Sequence, residues 1–275
     1  MSLLSPVERT TPGERTTAAP ASRTEPTVRA RRLRVQYGEQ VALGGVDLDV
    51  YPGEVVALLG HSGSGKSTLM KTLTGIAPFT ADTLEVAGRS VAGQSASGLR
   101  ELRSDVGYVF QHFNLVPRLT ALTNVLTGGL HSAGAINLLG TFNREQRSRA
   151  LELLDRVGLA HKAKQPCRNL SGGEQQRVAI ARALMQQPRL ILADEPVASL
   201  DPRLAGTILG LLRDIAREEQ IPVIVSLHVV GLARRYADRV LGLHSGELVF
   251  AGPATTLTEK EVQQIYGTDT ELLEN

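Results

Sequence analysis

The sequence has no tryptophan, a single cysteine and few aromatic residues, and its charges nearly balance. Phenylalanine and tyrosine number 5 each, and 30 lysine and arginine residues stand against 28 aspartate and glutamate residues, a net charge of +2. Cys167 alone excludes an internal disulfide and a thiolate metal cluster, and we expect it to be a small buried side chain. Because positive charge is not concentrated, we expect no nucleic-acid partner.

Long apolar runs are absent as well. No stretch approaches the roughly 18 apolar residues that span a bilayer, and the N-terminus lacks the apolar core of a secretory signal, so we expect a cytoplasmic protein. Hydrophobic residues still make up 42% of the 275 residues, which allows a substantial core. Residues 1–27 are rich in Thr, Ser, Pro, Ala and Arg without apolar periodicity, and we predict that they form a disordered tail.

Residues 60–68, GHSGSGKST, fit the pattern GxxxxGK[ST] of a phosphate-binding loop. Glycine lets the backbone N–H groups turn toward phosphate oxygens, and a following helix adds its positive end. Lys66 would reach the β- and γ-phosphates, and Ser67 would ligate Mg²⁺. An ordinary glycine-rich turn is disfavoured because an apolar strand precedes the loop and a helix follows it. We therefore predict that this loop binds a nucleoside triphosphate.

Three later apolar stretches end in polar residues: Gln111, the pair Asp194 and Glu195, and His228. Because ligands gather at the carboxyl ends of buried parallel strands, we expect these side chains at one sheet edge beside the γ-phosphate. Asp194 suits a place next to a Mg²⁺ bound by Ser67, and Glu195 could activate the attacking water as general base. Taken singly, a glutamine or histidine at a strand end is more often structural.

Residues from about 112 to 187 have the helical periodicity of an inserted, mostly helical segment. Within it, the sequence LSGGEQ lets Ser171 cap a helix and Glu174 close a capping box. A capping box does not explain Gly172 and Gly173, which lower helix stability. Bare backbone at a helix N-terminus is an anion site, so this segment is a second candidate phosphate contact.

The remaining segments predict strands and a short helix. Alternating apolar residues between 33 and 50 predict strands with one wet face, and Tyr37 is placed in the short loop between the first two of them. Its ring could stack on an adenine or be an ordinary half-buried tyrosine, and spacing alone leaves both open. Residues 238–250 predict a hairpin that closes the sheet, and residues 258–266 predict a terminal helix.

With these motifs in order along residues 27–267, the chain resembles the ATPase subunit of an ATP-binding cassette (ABC) transporter. The likeness implies an α/β P-loop NTPase core of the RecA-like type, with an antiparallel β subdomain and an α-helical subdomain. It implies an ATPase domain over residues 28–252, with the helical subdomain inserted at about 112–187, and a C-terminal helix and tail over residues 253–275.

The resemblance also assigns roles to individual residues. The implied ATP-binding residues are Tyr37, Gly60, His61, Ser62, Gly63, Ser64, Gly65, Lys66, Ser67, Thr68 and Gln111. The implied catalytic residues are Glu195, His228 and Lys66, and the implied Mg²⁺ ligands and neighbours are Ser67, Gln111 and Asp194. The signature Ser171, Gly172, Gly173 and Glu174 would meet ATP on a second copy in a head-to-tail dimer, with Ser199 and Asp201 in the D-loop between.

Within this family the chain is most similar to the phosphonate-import ATPases. That likeness implies a cytoplasmic protein held at the membrane by permease subunits, with a docking segment near Phe113 and, indirectly, a substrate-binding protein. Glu174 replaces the glutamine of the commonest pattern, and His61 stands where many relatives have proline, so we expect the His61 side chain to be a bystander to a loop that binds phosphate through its backbone. A soluble ABC ATPase not coupled to transport and a non-hydrolysing ATP-dependent module are the alternatives.

Overall fold

The computed structural model describes residues 25–131 and 142–267. Most of the predicted N-terminal tail and the residues after 267 therefore lie outside the described part. Thr27, the last residue of the predicted tail, donates its backbone N–H to the Val50 carbonyl at 2.8 Å, and its own carbonyl accepts from the N–H of Ala87 at 2.7 Å. The ordered sheet thus begins with backbone pairing at Thr27.

A four-stranded antiparallel sheet forms the first layer, in the order β2-β1-β4-β5. Its strands are β1 (Val28–Tyr37), β2 (Gln40–Val50), β4 (Thr83–Val86) and β5 (Arg89–Ser90). Apolar side chains alternate with exposed ones along β1 and β2, as the sequence predicts for strands with one wet face. Tyr37 is the last residue of β1, paired with Gln40, so its predicted place in the loop between the strands is wrong.

A six-stranded sheet forms the centre of the molecule, in the order β10-β9-β3-β8-β7-β6. Its strands are β3 (Val55–Leu59), β6 (Val106–Val109), β7 (Leu190–Ala193), β8 (Val223–Ser226), β9 (Arg239–His244) and β10 (Glu247–Pro253). All pairings are parallel except that of β9 with β10, which is the predicted C-terminal hairpin at the sheet edge. Every residue of β3, β7 and β8 is buried, as expected for parallel strands covered on both faces.

Helices cover both faces of this sheet. They are α1 (Lys66–Leu73), α2 (Ala96–Ser104), α3 (Ala121–Thr127), α4 (Arg144–Arg156), α5 (Gly172–Met185), α6 (Pro202–Glu219), α7 (Val230–Tyr236) and α8 (Glu259–Tyr266). Helices α3, α4 and α5 pack against one another within the segment that the sequence predicts as helical. Side-chain caps at Asn143, Ser171 and Asp201 begin α4, α5 and α6.

The core divides at the six-stranded sheet. Alternate residues of β3 point to opposite faces: Val55 and Ala57 pack with α3–α6, whereas Val56 and Leu58 pack with α1 and the small sheet. The strand ends are therefore held from both sides, which fixes the loops that follow them. Within the described ranges, helices of the length and apolarity required to cross a bilayer do not occur.

Candidate nucleotide-binding and catalytic site

The phosphate-binding loop joins β3 to α1, as the sequence predicts. Gly60, Gly63 and Gly65 have backbone φ angles of 149°, 81° and 109°, which residues other than glycine rarely adopt. A Cβ atom at Gly65 would lie 2.8 Å from the Ala42 carbonyl oxygen, so the backbone is packed too closely for any larger residue. Glycine at these three positions keeps side chains away from the loop backbone, which is the arrangement that lets N–H groups approach phosphate.

Lys66, the first residue of α1, folds back over this loop. Its ammonium donates to the carbonyls of Gly60 at 2.6 Å and His61 at 2.9 Å. Burial lowers the Lys66 pKa from its ordinary value, and the negative charges of Glu195 and Asp194 oppose that shift. The lysine is therefore held within the loop, and its charge interacts with the carboxylates of Glu195 and Asp194 across the site.

The polar tips of β7 and β8 meet at one edge of the sheet, as the sequence predicts. His228 Nε2 lies 2.6 Å from Glu195 Oε1. Ser67 donates to Asp194 Oδ1 at 3.3 Å, which places the loop's hydroxyl beside that carboxylate. Glu195 and His228 thus face the strand edge on which the phosphate-binding loop lies.

Asp194 and Glu195 are held by residues that the motifs do not include. Ser226 donates to Asp194 Oδ1 at 2.9 Å and accepts the backbone N–H of Glu195 at 2.8 Å. Tyr108 donates to the other Asp194 oxygen at 3.2 Å, and burial and the Asp194 charge raise the Tyr108 pKa. Glu195 has a φ of 47°, a left-handed conformation that costs energy in a residue with a side chain. The Ser226 and Tyr108 hydrogen bonds stabilise the turn that orients the Glu195 carboxylate.

Gln111 is exposed two residues beyond the end of β6. Among the described residues, no hydrogen bond joins it to Ser67 or Asp194, so this structure does not bring the predicted Mg²⁺ neighbour into contact with the others. Tyr37 is 47% exposed at the end of β1, so its ring is open to stack on a base.

The signature segment forms the predicted capping box at the start of α5. Ser171 Oγ accepts the Glu174 N–H at 3.3 Å, and Glu174 Oε2 accepts the Ser171 N–H at 2.9 Å. Because the first turn of a helix has no intrahelical acceptors for its N–H groups, those of Gly172 and Gly173 face the open end. Lys162, which sequence analysis missed, lies 2.5 Å from Glu174 and lowers the pKa of that carboxyl.

The D-loop residues differ in role. Asp201 caps α6, accepting the N–H groups of Arg203 at 3.1 Å and Leu204 at 3.0 Å, whereas Ser199 is exposed. The His61 imidazole hydrogen-bonds the Tyr266 carbonyl of α8, a contact within the chain, and its expected place as a bystander to phosphate binding stays a prediction. The sequence carries no local signal for that contact, because 205 positions separate the two residues.

The fold and the loop together define a P-loop nucleotide-binding protein. The sequence matches the model of the family "ABC transporter" over residues 43–198, which is more than half of the chain. The chain therefore belongs to the ABC transporter family, and the predicted resemblance is confirmed.

Relatives of known description are similar over most of their length. "Phosphate-import ATP-binding protein PhnC" of Mycolicibacterium smegmatis is 49% identical over 242 residues, 86% of this chain and 90% of the relative. "Phosphonates import ATP-binding protein PhnC" of Nocardia farcinica is 47% identical over 250 residues, 89% of this chain and 92% of the relative. The corresponding protein of Rhizobium etli is 44% identical over 235 residues, 85% of this chain and 84% of the relative. The predicted similarity to phosphonate-import ATPases is thus confirmed.

Solved structures agree with the fold. The dimeric, ADP- and phosphate-bound ATP-binding cassette MJ0796 matches with a TM-score of 0.72 at 34% identity, covering 84% of this chain and 100% of that one. The cbiO1 subunit of Clostridium perfringens matches with a TM-score of 0.77 at 28% identity, covering 88% of this chain and 94% of that one. The predicted α/β P-loop fold is confirmed.

Proposed function

We propose that this chain is the ATP-hydrolysing subunit of an importer that moves phosphonate or a related phosphorus oxyanion through a membrane permease. The observation that carries the ATPase activity is the 2.6 Å contact between Glu195 and His228 at the sheet edge shared with the phosphate-binding loop. The names of the relatives, which specify phosphate or phosphonates import, support the direction of transport and the class of cargo.

The mechanism assigns each group one task. The backbone N–H groups of the loop and the Lys66 ammonium bind the phosphates of ATP and stabilise the charge that develops during phosphoryl transfer. Glu195 accepts a proton from the attacking water, and His228, hydrogen-bonded to Glu195, orients that carboxylate and contacts the γ-phosphate. Electrostatic positioning of this kind supplies most of what phosphoryl transfer requires.

The residues present fit a Mg²⁺ ion bound together with ATP. Mg²⁺ keeps several waters and takes few protein oxygens alongside the substrate phosphates. The Ser67 hydroxyl and the Asp194 carboxylate, 3.3 Å apart, would hold the ion and its water, and Gln111 would join them after moving inward. When bound, the ion would neutralise charge on the β- and γ-phosphates.

The Glu195→Gln variant tests the assignment of the base. It keeps the size and one hydrogen-bond acceptor of the side chain but cannot take a proton from water. We expect ATP binding to persist and the hydrolysis rate to fall about 100-fold or more. Glu152→Gln, an exposed change on α4, is the matched control. Near-normal turnover by Glu195→Gln, measured as phosphate release, would remove Glu195 from this role.

A head-to-tail pair of chains is the proposed active form. The N–H groups of Gly172 and Gly173 and the Ser171 hydroxyl would then contact the γ-phosphate bound to the second copy. The dimeric state of the similar MJ0796 cassette supports the pairing of two copies. In the Glu195→Gln background we expect ATP to convert the monomer to a dimer in gel filtration. A Gly172→Asp change, at an exposed position where an added Cβ atom would come no closer than 3.6 Å to its neighbours, should abolish that dimer without abolishing ATP binding.

A groove beside the predicted docking segment is the proposed permease contact. It is lined by Ile76, which is 62% exposed, Phe110, which is 38% exposed, and Arg182, and it lies between the main sheet and the proposed helical subdomain at about 112–187. Arg182 donates to the carbonyl oxygens of Phe113 and Asn114, both in left-handed conformations with φ of 58° and 50°. The loop is therefore fixed to α5, whose first turn is the signature.

The docking assignment predicts a separable defect. Phe113 is half-buried near the start of α5, so its ring has contacts within this chain as well as a surface open to a partner. We expect Ile76→Asp, at a more exposed position, to retain basal ATPase activity and to lose co-purification with the permease, and Phe113→Asp to show the same loss if it folds. Permease binding by both variants would argue against this surface. The permease contact would hold the chain at the cytoplasmic face of the membrane.

The cargo is tested in cells rather than on the isolated chain, because the ATPase subunit does not contact it. In a strain that lacks this chain, we expect the wild-type chain, but not Glu195→Gln, to restore uptake of a radiolabelled alkylphosphonate. Inorganic phosphate and phosphite are the competing labelled solutes. Restored uptake of phosphate alone would keep the importer and replace the phosphonate cargo. Normal uptake without the chain, together with ATPase activity in vitro, would favour an ATPase not coupled to transport.

A further inference from the structure

The C-terminal helix α8 contacts the phosphate-binding loop through its last residue, Tyr266. Tyr266 is 3% exposed, and its hydroxyl accepts the backbone N–H of Gly60 at 3.3 Å and donates to the backbone carbonyl of His228 at 3.3 Å. Gly60 follows β3, and His228 follows the neighbouring parallel strand β8. One hydroxyl group therefore joins the ends of the two strands that carry the phosphate-binding loop and the catalytic histidine.

A second set of contacts connects α8 to Lys66. The His61 imidazole hydrogen-bonds the Tyr266 carbonyl, and the two rings meet edge to face with centroids 5.1 Å apart. The carbonyls that hold the Lys66 ammonium belong to Gly60 and His61. The same two loop residues thus contact α8 on one side and position the lysine on the other.

Helix α8 is itself firmly seated. Ile265 is fully buried over β9, where a Cβ atom at Gly242 would come within 2.4 Å of its side chain. The Ile265 carbonyl also hydrogen-bonds the His244 ring at 3.1 Å. Because close packing transmits displacement rather than absorbing it, a helix anchored in this way is a rigid support for the loop.

We propose that Tyr266 is a positioning residue for ATP hydrolysis, whose hydroxyl fixes the phosphate-binding loop and Lys66 relative to His228. The inference rests on the proposed ATPase function. It assigns a catalytic consequence to a helix outside residues 43–198, the part of the chain that matches the family.

The chemistry of the hydroxyl suits this role. Burial raises the Tyr266 pKa to about 12, and the N–H of Gly60 opposes the shift, so the group stays protonated near neutral pH. A neutral hydroxyl donates one hydrogen bond and accepts another, which is what the contacts with His228 and Gly60 require. A phenylalanine ring fills the same space but makes neither bond.

The Tyr266→Phe variant of the full chain is the first test. We expect kcat to fall about fivefold to tenfold, because small misplacements of catalytic groups are costly, while the Kd for a fluorescent ATP analogue stays within about twofold. Tyr236→Phe, which removes a half-buried hydroxyl at the end of α7, is the matched control and should leave both values unchanged.

A double variant separates positioning from folding. If Tyr266 acts by holding His228, then adding Tyr266→Phe to the His228→Ala variant should lower the rate of ATP hydrolysis by less than about twofold. The rate is measured in a single-turnover assay with labelled ATP. An undiminished effect in that background overturns the inference, as does an unchanged kcat in Tyr266→Phe. A parallel loss of rate, ATP affinity and melting temperature assigns Tyr266 to folding and also overturns it. A wild-type chain without ATPase activity overturns the proposed function itself.

Discussion

Lys162 Nζ lies 2.5 Å from Glu174 Oε1, so a lysine outside every motif is paired with the acidic residue of the signature. The side chains of the pair are 28% and 18% exposed, and water screens the pair only partly. A carboxylate at this end of α5 competes with a phosphate for the positive end of the helix. The lysine offsets that charge, which explains how the signature can contain Glu174 where a neutral glutamine is commoner.

The first prediction concerns this charge balance. Lys162→Met should lower the ATPase rate about fivefold, the equivalent of about 1 kcal/mol, because an uncompensated Glu174 repels the γ-phosphate of the second copy. Glu174→Gln in the same background should restore the rate. Lys164→Met, an exposed change two residues away, is the control. A Lys162→Met defect that Glu174→Gln fails to rescue would show that the lysine acts through folding instead of charge.

The second prediction concerns stability in acid. The Lys162 hydrogen bond is the largest cause that lowers the Glu174 pKa below its ordinary value of 4.5. A lowered carboxyl pKa contributes stability that is present above the unfolded pKa and is lost as the pH falls through the folded pKa. Urea unfolding from pH 6 to pH 3 should therefore show a smaller acid loss of stability in Glu174→Gln than in the wild type. Parallel curves for the two proteins would contradict the pairing in solution.

The third prediction concerns the serine that holds both acidic residues. Ser226→Ala removes the donor to Asp194 Oδ1 and leaves the Glu195 N–H without its acceptor. We expect a loss of about 1–3 kcal/mol in the free energy of unfolding, together with a lower kcat, because the left-handed turn at Glu195 loses its support. Ser148→Ala on the exposed side of α4 is the control. A stable Ser226→Ala with a normal rate would show that strand packing alone holds the turn.

The fourth prediction concerns the backbone of the loop. Gly65→Ala places a Cβ atom 2.8 Å from the Ala42 carbonyl oxygen at a φ of 109°. We expect loss of ATP binding and a destabilisation of about 1–3 kcal/mol. Gly158→Ala, at a φ of 72° with open space around the added atom, should cost about 1 kcal/mol and leave ATP binding intact. Nucleotide titration and thermal unfolding distinguish the two variants, and equal behaviour of both would contradict the steric explanation.

Contiguous motifs made the fold and the strand tips predictable. The pattern around Lys66 fixes a strand, a loop and a helix together, and the abrupt change from apolar to acidic at Asp194 marks a strand end. Tyr37 was predicted in a loop but lies at the end of β1, because only two residues separate β1 from β2 and the strand extends as far as Tyr37. Such boundaries depend on backbone pairing that the local sequence does not specify.

The supporting contacts were not predictable, because they join residues remote in the chain. Gly60 and Tyr266 are separated by 206 positions, and Tyr108 and Asp194 by 86. The local sequence around each of these tyrosines indicates only an ordinary side chain in an apolar strand or helix. Only the packing of α8 on β9, and the parallel pairing of β6 with β7, brings their hydroxyl groups to the site.

The hydrogen bonds from Lys66 to the carbonyls of Gly60 and His61 also bear on the energetics of nucleotide capture. When a triphosphate enters the loop, its oxygens replace those carbonyls as the acceptors of the Lys66 hydrogen bonds. The lysine therefore loses two hydrogen bonds as it forms new ones. The contribution of this lysine to the enthalpy of binding is then a small difference between similar terms. Calorimetry should accordingly assign only a modest part of the heat of binding to Lys66.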